Sequence, residues 1–216
     1  MKDSVLDHIT IAADNLEQGV AYIENLLGIT PPYGGDHPRM GTHNHLLRLG
    51  ADKFLEIIAI NPSAKAPSRS RWFDLDRPHR QAQLRSRSRL LTWVVRTADI
   101  YVTKTLCSEP LGEVEAMSRG TLTWLMTIDR DGKLPCDGIV PSLIQWNADT
   151  TPAFNMPDFG CSLVKLEGFH PEKSRIDRAI EELGVADIIN VHSLAEDREP
   201  YLVAHIQTPS GIKIIN

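Results

Sequence analysis

Near the start of the chain, Ile9 and Ile11 alternate with His8, Thr10 and Ala12, which is the period of a strand with one face buried. Asp14 then opens a helix, where it can accept from the first free N–H groups, and Glu17 follows at the capping-box distance. Leu16, Val20, Ile23 and Leu27 fall on one helix face, and Gly28 ends it. Pro31-Pro32-Tyr33-Gly34-Gly35 breaks the pattern. Two further strands follow, Asn44 to Leu49 and Phe54 to Ile60, joined by the tight Gly50-Ala51-Asp52. One strand, one helix and then strands make a βαβββ unit.

Residues 61–89 change character. Arg69, Arg71, Arg77, Arg80, Arg85, Arg87 and Arg89 are interleaved with serines and prolines around Trp72-Phe73. This predicts a long connection, mostly without regular structure, that its aromatic pair pins to the body. A lid or anion-steering loop is the functional alternative.

The first pattern then returns. Leu91 to Ile100 can be laid over residues 6–15 without a gap, so that Trp93 falls on His8 and Asp99 on Asp14, and Ser142 to Trp146 matches Lys53 to Ile57, with Gln145 on Glu56. Such a repeat implies two modules around one concave sheet. Farther on, Leu163 to Glu167 leads into a helix with Ile176, Ala179, Ile180 and Leu183 inward and Gly184 past its end. Tyr201 to Ile206 and Ile212 to Ile215 close a hairpin across Pro209-Ser210-Gly211. The expected layout is a first module at 1–60, the connection at 61–89, a second module at 90–150 and a third unit at 160–216 packed on the pair.

The string LDHITIAADNLEQGVAYIENLLGI, followed by GGDHPRMGTHNHLLRLG and FLEII, resembles the first module of the vicinal oxygen chelate superfamily, in its glyoxalase-like branch. That resemblance implies an α+β fold of tandem βαβββ modules, of the glyoxalase/bleomycin-resistance/dioxygenase type, here with a third, partial βαβ-like unit at the C-terminus. It also implies that metal-using relatives take one ligand from the first strand and one from the last strand of each module. His8 and Glu56 occupy those places in module one, as metal ligands or as catalytic acid and base. On the alignment above, Trp93 and Gln145 occupy them in module two, and an indole cannot ligate a metal while an amide oxygen does so weakly. The expectation is therefore either no metal or a weakly held Zn, Fe, Mn or Ni ion, with His37 or His43 recruited to complete its shell.

The remaining polar residues point to recognition of a small molecule. His37, Asn44, Trp93, Gln145 and Arg71 are the expected substrate-binding residues, with Arg119 as an alternative to Arg71 for gripping a carboxylate or phosphate. His43 and His45 share a face that alternates with Asn44, Leu46 and Arg48, and either set could face the pocket with Glu56. His170, His192 and His205 read as structural and His79 as a surface residue, while Trp124 and Trp146 read as core. A Glu flanked by Phe54-Leu55 and Ile57-Ile58 needs a cation, a proton or an Arg beside it.

Composition narrows the classes without naming one. The chain has 216 residues, 42% hydrophobic and 24% charged, with a formal net charge of -5. That balance argues against a general nucleic-acid or membrane binder, since either needs a basic face. No run of about 18 apolar residues exists, and Met1-Lys2-Asp3 leads straight into strand-like sequence, so the expected location is cytoplasmic. Cys107, Cys136 and Cys161 are scattered and fit free thiols. The chain reads as a glyoxalase-like enzyme acting on a small carbonyl- or oxygen-bearing molecule by isomerase, lyase or dioxygenase chemistry. Glu56 or His8 would be the general base, with His37, Asn44 and Gln145 as donors to the enolate. The rival is a non-catalytic protein of the same fold that binds or sequesters its ligand. The expected partner is the small-molecule substrate or ligand, with no nucleic acid and no membrane, and a homodimer is left open.

Overall fold

The computed structural model describes residues 4–147 and 151–216; Met1-Lys2-Asp3 and residues 148–150, where the second module was expected to end, lie outside the described residues. The first module is β1 (Ser4–Ala12), α1 (Leu16–Leu27), β2 (Tyr33–His37), β3 (Thr42–Arg48) and β4 (Phe54–Ile60). The connection carries α2 (Pro78–Ser86). The second module is β5 (Arg89–Thr97), α3 (Ile100–Leu106), β6 (Glu113–Arg119), β7 (Leu122–Ile128) and β8 (Ser142–Trp146). The third unit is β9 (Ser162–His170), α4 (Lys173–Glu182), β10 (Ile189–Ser193), β11 (Tyr201–Thr208) and β12 (Gly211–Ile215).

Both modules share one eight-stranded sheet, in the order β2-β3-β4-β1-β5-β8-β7-β6. Its two outermost strands meet. Arg39, just past β2, donates to the carbonyl of Ala116 in β6 at 2.6 Å and pairs with Glu115. Strands at opposite ends of an eight-strand order can touch only if the sheet curls round, and the inside of that curl is the cleft described below.

The centre of the sheet is the antiparallel pair β1·β5, in which Leu6 lies opposite Val95, Ile9 opposite Trp93 and Ile11 opposite Leu90. This register is two-fold symmetric about Ile9 and Trp93, so Trp93 is the counterpart of Ile9 and Thr92 that of His8. Glu56 lies level with Thr10, and Ser142 with Val94, so Glu56 corresponds to Ser142. The alignment of Trp93 with His8 and Gln145 with Glu56 is thus out of register. The helix caps show the same slip: Asn15, not Asp14, accepts from Gln18 N at 2.9 Å and caps α1, as Asp99 caps α3. Adjacent Asp14 and Asn15 are both good caps, so the sequence pattern did not separate them.

Two bulges complete the symmetry. The register shifts between Leu6 and His8, leaving Asp7 as the extra residue of β1, and again opposite Thr10 and Ile11, leaving Leu91 as that of β5. A bulge resets the alternation of faces. Leu6 and Ile9, three apart, therefore both enter the outer core, as do Leu90 and Trp93.

The outer core joins Ile9, Ile11, Leu55, Ile57, Trp93 and Leu143 to α1, α3 and the four-stranded sheet β10-β9-β11-β12. In α1 the buried line runs through Leu16, Gly19, Ile23 and Leu27, and Val20, expected inside, is only half-buried. The reason is Gly19, where a Cβ would stand 2.5 Å from Ile57 Cγ2, so the helix lies down on the sheet at that residue. In the third unit β9 and β10 are parallel across α4, a βαβ unit, but β11 and β12 extend the sheet on the other side of β9. It is an added layer, not a third copy of the module.

The connection is less irregular than its composition suggests, because α2 occupies Pro78–Ser86. Trp72 and Phe73 are buried and belong to the inner core with Ile58, Val94, Met126 and Ile144. Among the described residues, no helix is long and apolar enough to cross a membrane.

Candidate functional site

The bulge at Asp7 determines what the centre of the sheet presents. Adjacent strand residues normally face opposite ways, yet Asp7 Oδ1 and His8 Nδ1 lie 2.7 Å apart. A carboxylate can only accept, so Nδ1 carries the hydrogen and His8 Nε2 is left free toward the cleft. Asp7 is fully buried, and its other oxygen accepts from Trp146 Nε1 at 2.9 Å and from Arg96 at 3.2 Å. The His8 ring stacks on Phe54 with centroids 4.6 Å apart. These contacts fix the imidazole in plane and in tautomer.

Glu56 comes in from β4 with Oε2 at 3.7 Å from His8 Nε2. Thr10 donates to the same oxygen at 3.4 Å, and Asn44 Nδ2 donates to Oε1 at 2.6 Å. Asn44 also faces His37 Nε2 at 3.4 Å, while His37 Nδ1 meets Thr42 Oγ1 at 3.1 Å. Burial drives the His37 pKa down to about 4, against the pull of Glu56, so this ring is neutral at pH 7 and its Nε2 can accept from Asn44. Asn44 is thus a strut between a neutral imidazole and the Glu56 carboxylate. Gly34 makes room for it, since a Cβ there would stand 2.3 Å from Asn44 Oδ1.

The cleft itself is lined by His8, His37, Glu56 and Phe54, by Trp72 and Phe73 of the connection, and by Arg119, Trp124, Met126, Ile144 and Trp146 of module two. Trp72 and Phe73 stack at 5.4 Å, Trp124 and Trp146 contact at 5.1 Å, and His37 meets Trp72 and Trp124 edge-on. Phe73 holds a left-handed backbone, φ 60°, as does Asp74, φ 57°, and Asp74 N bonds Gly132 O at 2.8 Å. That docking presents the two rings to the cleft.

Among the residues expected to bind substrate, His37 and Asn44 lie beside His8 and Glu56, whereas three others lie elsewhere. Trp93 is fully buried in the outer core with its N–H on Ile139 O at 2.9 Å. Gln145 points to the helix side, its amide oxygen accepting from Ile100 N at 2.9 Å at the start of α3. Arg71 is held inside its own loop by Asp76, at 2.6 Å through its guanidinium and 2.7 Å through its N–H. The first two follow from the register slip, one residue for Trp93 and three for Gln145, because an odd shift turns a strand's side chain to the other face. By the same alternation Trp146 and Trp124, read as core, face the cleft. Arg119 replaces Arg71. His43 and His45 lie on the face away from Asn44, His45 bonding Pro31 O at 2.6 Å. His170 accepts from Glu172 N at 3.0 Å, and His192 and His205 both hydrogen-bond Glu167.

The donor set can be tested against the divalent ion that metal-using relatives hold. Module one supplies His8 and Glu56, but their counterparts are Thr92, whose hydroxyl is turned to Trp93 O, and Ser142. Among the described residues, no group of three or more His, Cys, Asp or Glu side chains is arranged so that it could hold a metal ion. Glu56 Oε1 is already taken by an amide N–H, and a guanidinium lines the same cleft. Two anionic or imidazole donors beside a fixed cation do not fit a tight transition-metal site.

A glyoxalase-like domain model matches residues 6–184 of the chain. A solved structure of a hypothetical protein from Staphylococcus aureus superposes with a TM-score of 0.59 at 16% identity, covering 94% of this chain and 80% of that one. A methylmalonyl-CoA epimerase in complex with methylmalonyl-CoA and NH4+ gives 0.43 at 15% identity, over 68% and 97% of the two chains. The methylmalonyl-CoA epimerase of Mycobacterium tuberculosis gives 0.40 at 16%, over 65% and 85%. No curated protein matches the sequence. With paired βαβββ modules around one curled sheet and a family match over most of its length, the chain belongs to the glyoxalase-like domain family.

Proposed function

We propose that the protein is an enzyme that moves a proton at the carbon beside a carbonyl group of a small molecule bound in the cleft. The observation that carries this reading is the convergence of Glu56 Oε2 and His8 Nε2 at 3.7 Å, each held from behind by other side chains. Fixed acid–base groups facing one pocket are what C–H deprotonation requires. In the step itself the substrate C–H bond breaks, its proton goes to Glu56, and the electron pair delocalises onto the carbonyl oxygen as an enolate. Arg119, on the same cleft, supplies positive charge for that oxygen. The proton then returns from Glu56, directly or after passing to the free His8 Nε2 beside it, giving an isomer, or the enolate expels a leaving group, giving a lyase product. Oxygenase chemistry is less well supported, because the donor set does not build a three-ligand iron site.

Solvent exchange provides the test. Small 2-oxo and 3-oxo acids and neutral ketones, incubated with the protein in D2O, are followed by NMR for deuterium uptake beside the carbonyl. Wild type should catalyse uptake with at least one class, and Glu56→Gln should lower the rate by roughly 100-fold or more. Equal rates in the two proteins would refute the assignment. Binding without exchange in wild type, unchanged in Glu56→Gln, would instead identify a sequestering protein.

A further inference from the structure

The cleft carries more hydrogen-bond donors than the protein satisfies. The indole N–H groups of Trp72 and Trp124 are buried, and neither has an acceptor. Both residues line the cleft. Buried N–H groups without partners are uncommon in folded proteins and costly, so two in one cleft call for an explanation. Beside them Arg119, half-buried at the end of β6, makes no ion pair or hydrogen bond among the described residues. Burial pulls its pKa down, and Glu56 offsets this in part without reaching it. Its placement is built into the fold: the Arg119 stem lies against Gly35 of the opposite edge strand, where a Cβ would stand 3.0 Å from Arg119 Cδ. Two glycines in succession thus clear the way for Asn44 and for Arg119.

The acceptors on the other side of the account are few. Glu56 is engaged by Asn44 and Thr10, His37 Nε2 faces Asn44, and Asn44 Oδ1, which also lacks a partner, lies against Gly34 on a residue that does not line the cleft. A guanidinium and two indole N–H groups without acceptors, between aromatic rings, are matched by a ligand that is flat, negatively charged and made mostly of acceptors.

We infer that the cleft takes a small carboxylate, its carboxyl group gripped by Arg119 and bonded by the indole N–H of Trp72 or Trp124, with the reacting carbon toward Glu56 and His8. This rests on the proton-transfer reading only for the direction of the reacting carbon; the carboxylate grip stands on the donor surplus. A cleft walled by the flat rings of Trp72, Phe73, Trp124 and Trp146 suits a planar carboxylate better than a tetrahedral phosphate.

Binding is read with simple probes, independently of any turnover. Malonate, oxalate, inorganic phosphate and neutral acetylacetone are titrated into the protein, following tryptophan fluorescence, since Trp72, Trp124 and Trp146 all line the cleft, with calorimetry as a second readout. Malonate or oxalate should bind wild type more tightly than phosphate, and the neutral diketone most weakly. Arg119→Gln should lose roughly 10-fold or more in carboxylate affinity, with Arg119→Lys between the two. Trp72→Phe and Trp124→Phe keep the ring and remove the N–H, and at least one should weaken binding by roughly 3- to 10-fold. Glu56→Gln should bind the probes at least as well as wild type, because it removes a like charge. Carboxylate binding in Glu56→Gln together with unchanged D2O exchange would thus reject the proton-transfer reading and keep this one. Dissociation constants above about 10 mM for both carboxylates, equal affinity in Arg119→Gln, or a preference for phosphate would overturn the carboxylate assignment.

Discussion

A buried imidazole that stays neutral leaves a thermodynamic signature, and His37 is such a group. The unfolded chain takes up a proton at the ordinary histidine value of 6.5, whereas the folded chain does so only at about 4. The unfolded state therefore binds more protons between those values, and stability falls as pH drops through that window, by roughly 3 kcal/mol at most from this group. His43 and His170, also lowered by burial, add to the slope. Urea midpoints at pH 7 and pH 4.5 should differ less in His37→Gln than in wild type, and an identical pH dependence would show that His37 is not buried as a neutral ring. Gly34→Ala should lower stability by roughly 1–3 kcal/mol, because the added Cβ meets Asn44 Oδ1 at 2.3 Å and Leu46 Cγ at 2.7 Å. An unchanged urea midpoint would contradict that contact. At this scale the sequence was readable in module one, where His8 and Glu56 stood in strands with clear patterns and His37 and Asn44 near them. It was unreadable in module two. Trp93 and Gln145 were matched by pattern one and three residues away from the true counterparts Thr92 and Ser142, because apolar runs such as Leu90-Leu91 and Leu143-Ile144 leave the register of a hydrophobic pattern open.

Among the elements, the connection at 61–89 departs most from its composition. Four of its seven arginines form ion pairs, Arg71 with Asp76 and Arg77 with Asp74 at 2.8 Å inside the connection, Arg69 with Glu115 of β6 and Arg89 with Glu199. A tract so paired is a folded strap, not a solvated basic arm, and its aromatic pair is wall as well as anchor. Gly132 shows how tightly it is docked, since a Cβ there would stand 1.9 Å from the carbonyl oxygen of Arg71. Replacing both Trp72 and Phe73 by Ala should therefore open residues 61–77 to limited proteolysis, whereas equal cleavage rates in variant and parent would mean that the rings do not hold the strap. The helix α1 offers a sharper contrast. Asn15→Ala should cost about 1 kcal/mol because it removes the bond to Gln18 N, and Asp14→Ala much less, which denaturant midpoints of the two variants distinguish. Helix and strand periodicities were legible here because they are local. Irregular docking was not, because its partners, such as Gly132, come from distant positions.

For the whole molecule the question is whether the C-terminal layer is a separate body or part of one core. Its buried residues Leu166, Ile180, Leu202, Ala204 and Ile206 belong to the same cluster as Ile9, Trp93 and Val95 of the large sheet and Ile139 of the connection between β7 and β8. The contact is close: a Cβ on Gly168 of β9 would stand 2.8 Å from Ile139 Cγ2. A sheet buried on one face by this layer would expose Trp93 and its neighbours if the layer left, and a sizeable apolar face in water is strongly unfavourable. The two sheets should therefore unfold together. All four tryptophans, at positions 72, 93, 124 and 146, lie outside the C-terminal layer, so their fluorescence reports on the large sheet alone. Ile206 is fully buried in β11, and truncating such a side chain to Ala typically costs about 2–5 kcal/mol. In one cooperative core, Ile206→Ala should lower the stability measured from the tryptophan transition by that whole amount, and the far-UV circular dichroism transition should move with it. A tryptophan transition that stays in place while circular dichroism shows an earlier, partial loss of structure would mean that the C-terminal layer folds on its own and that the outer core is two cores in contact.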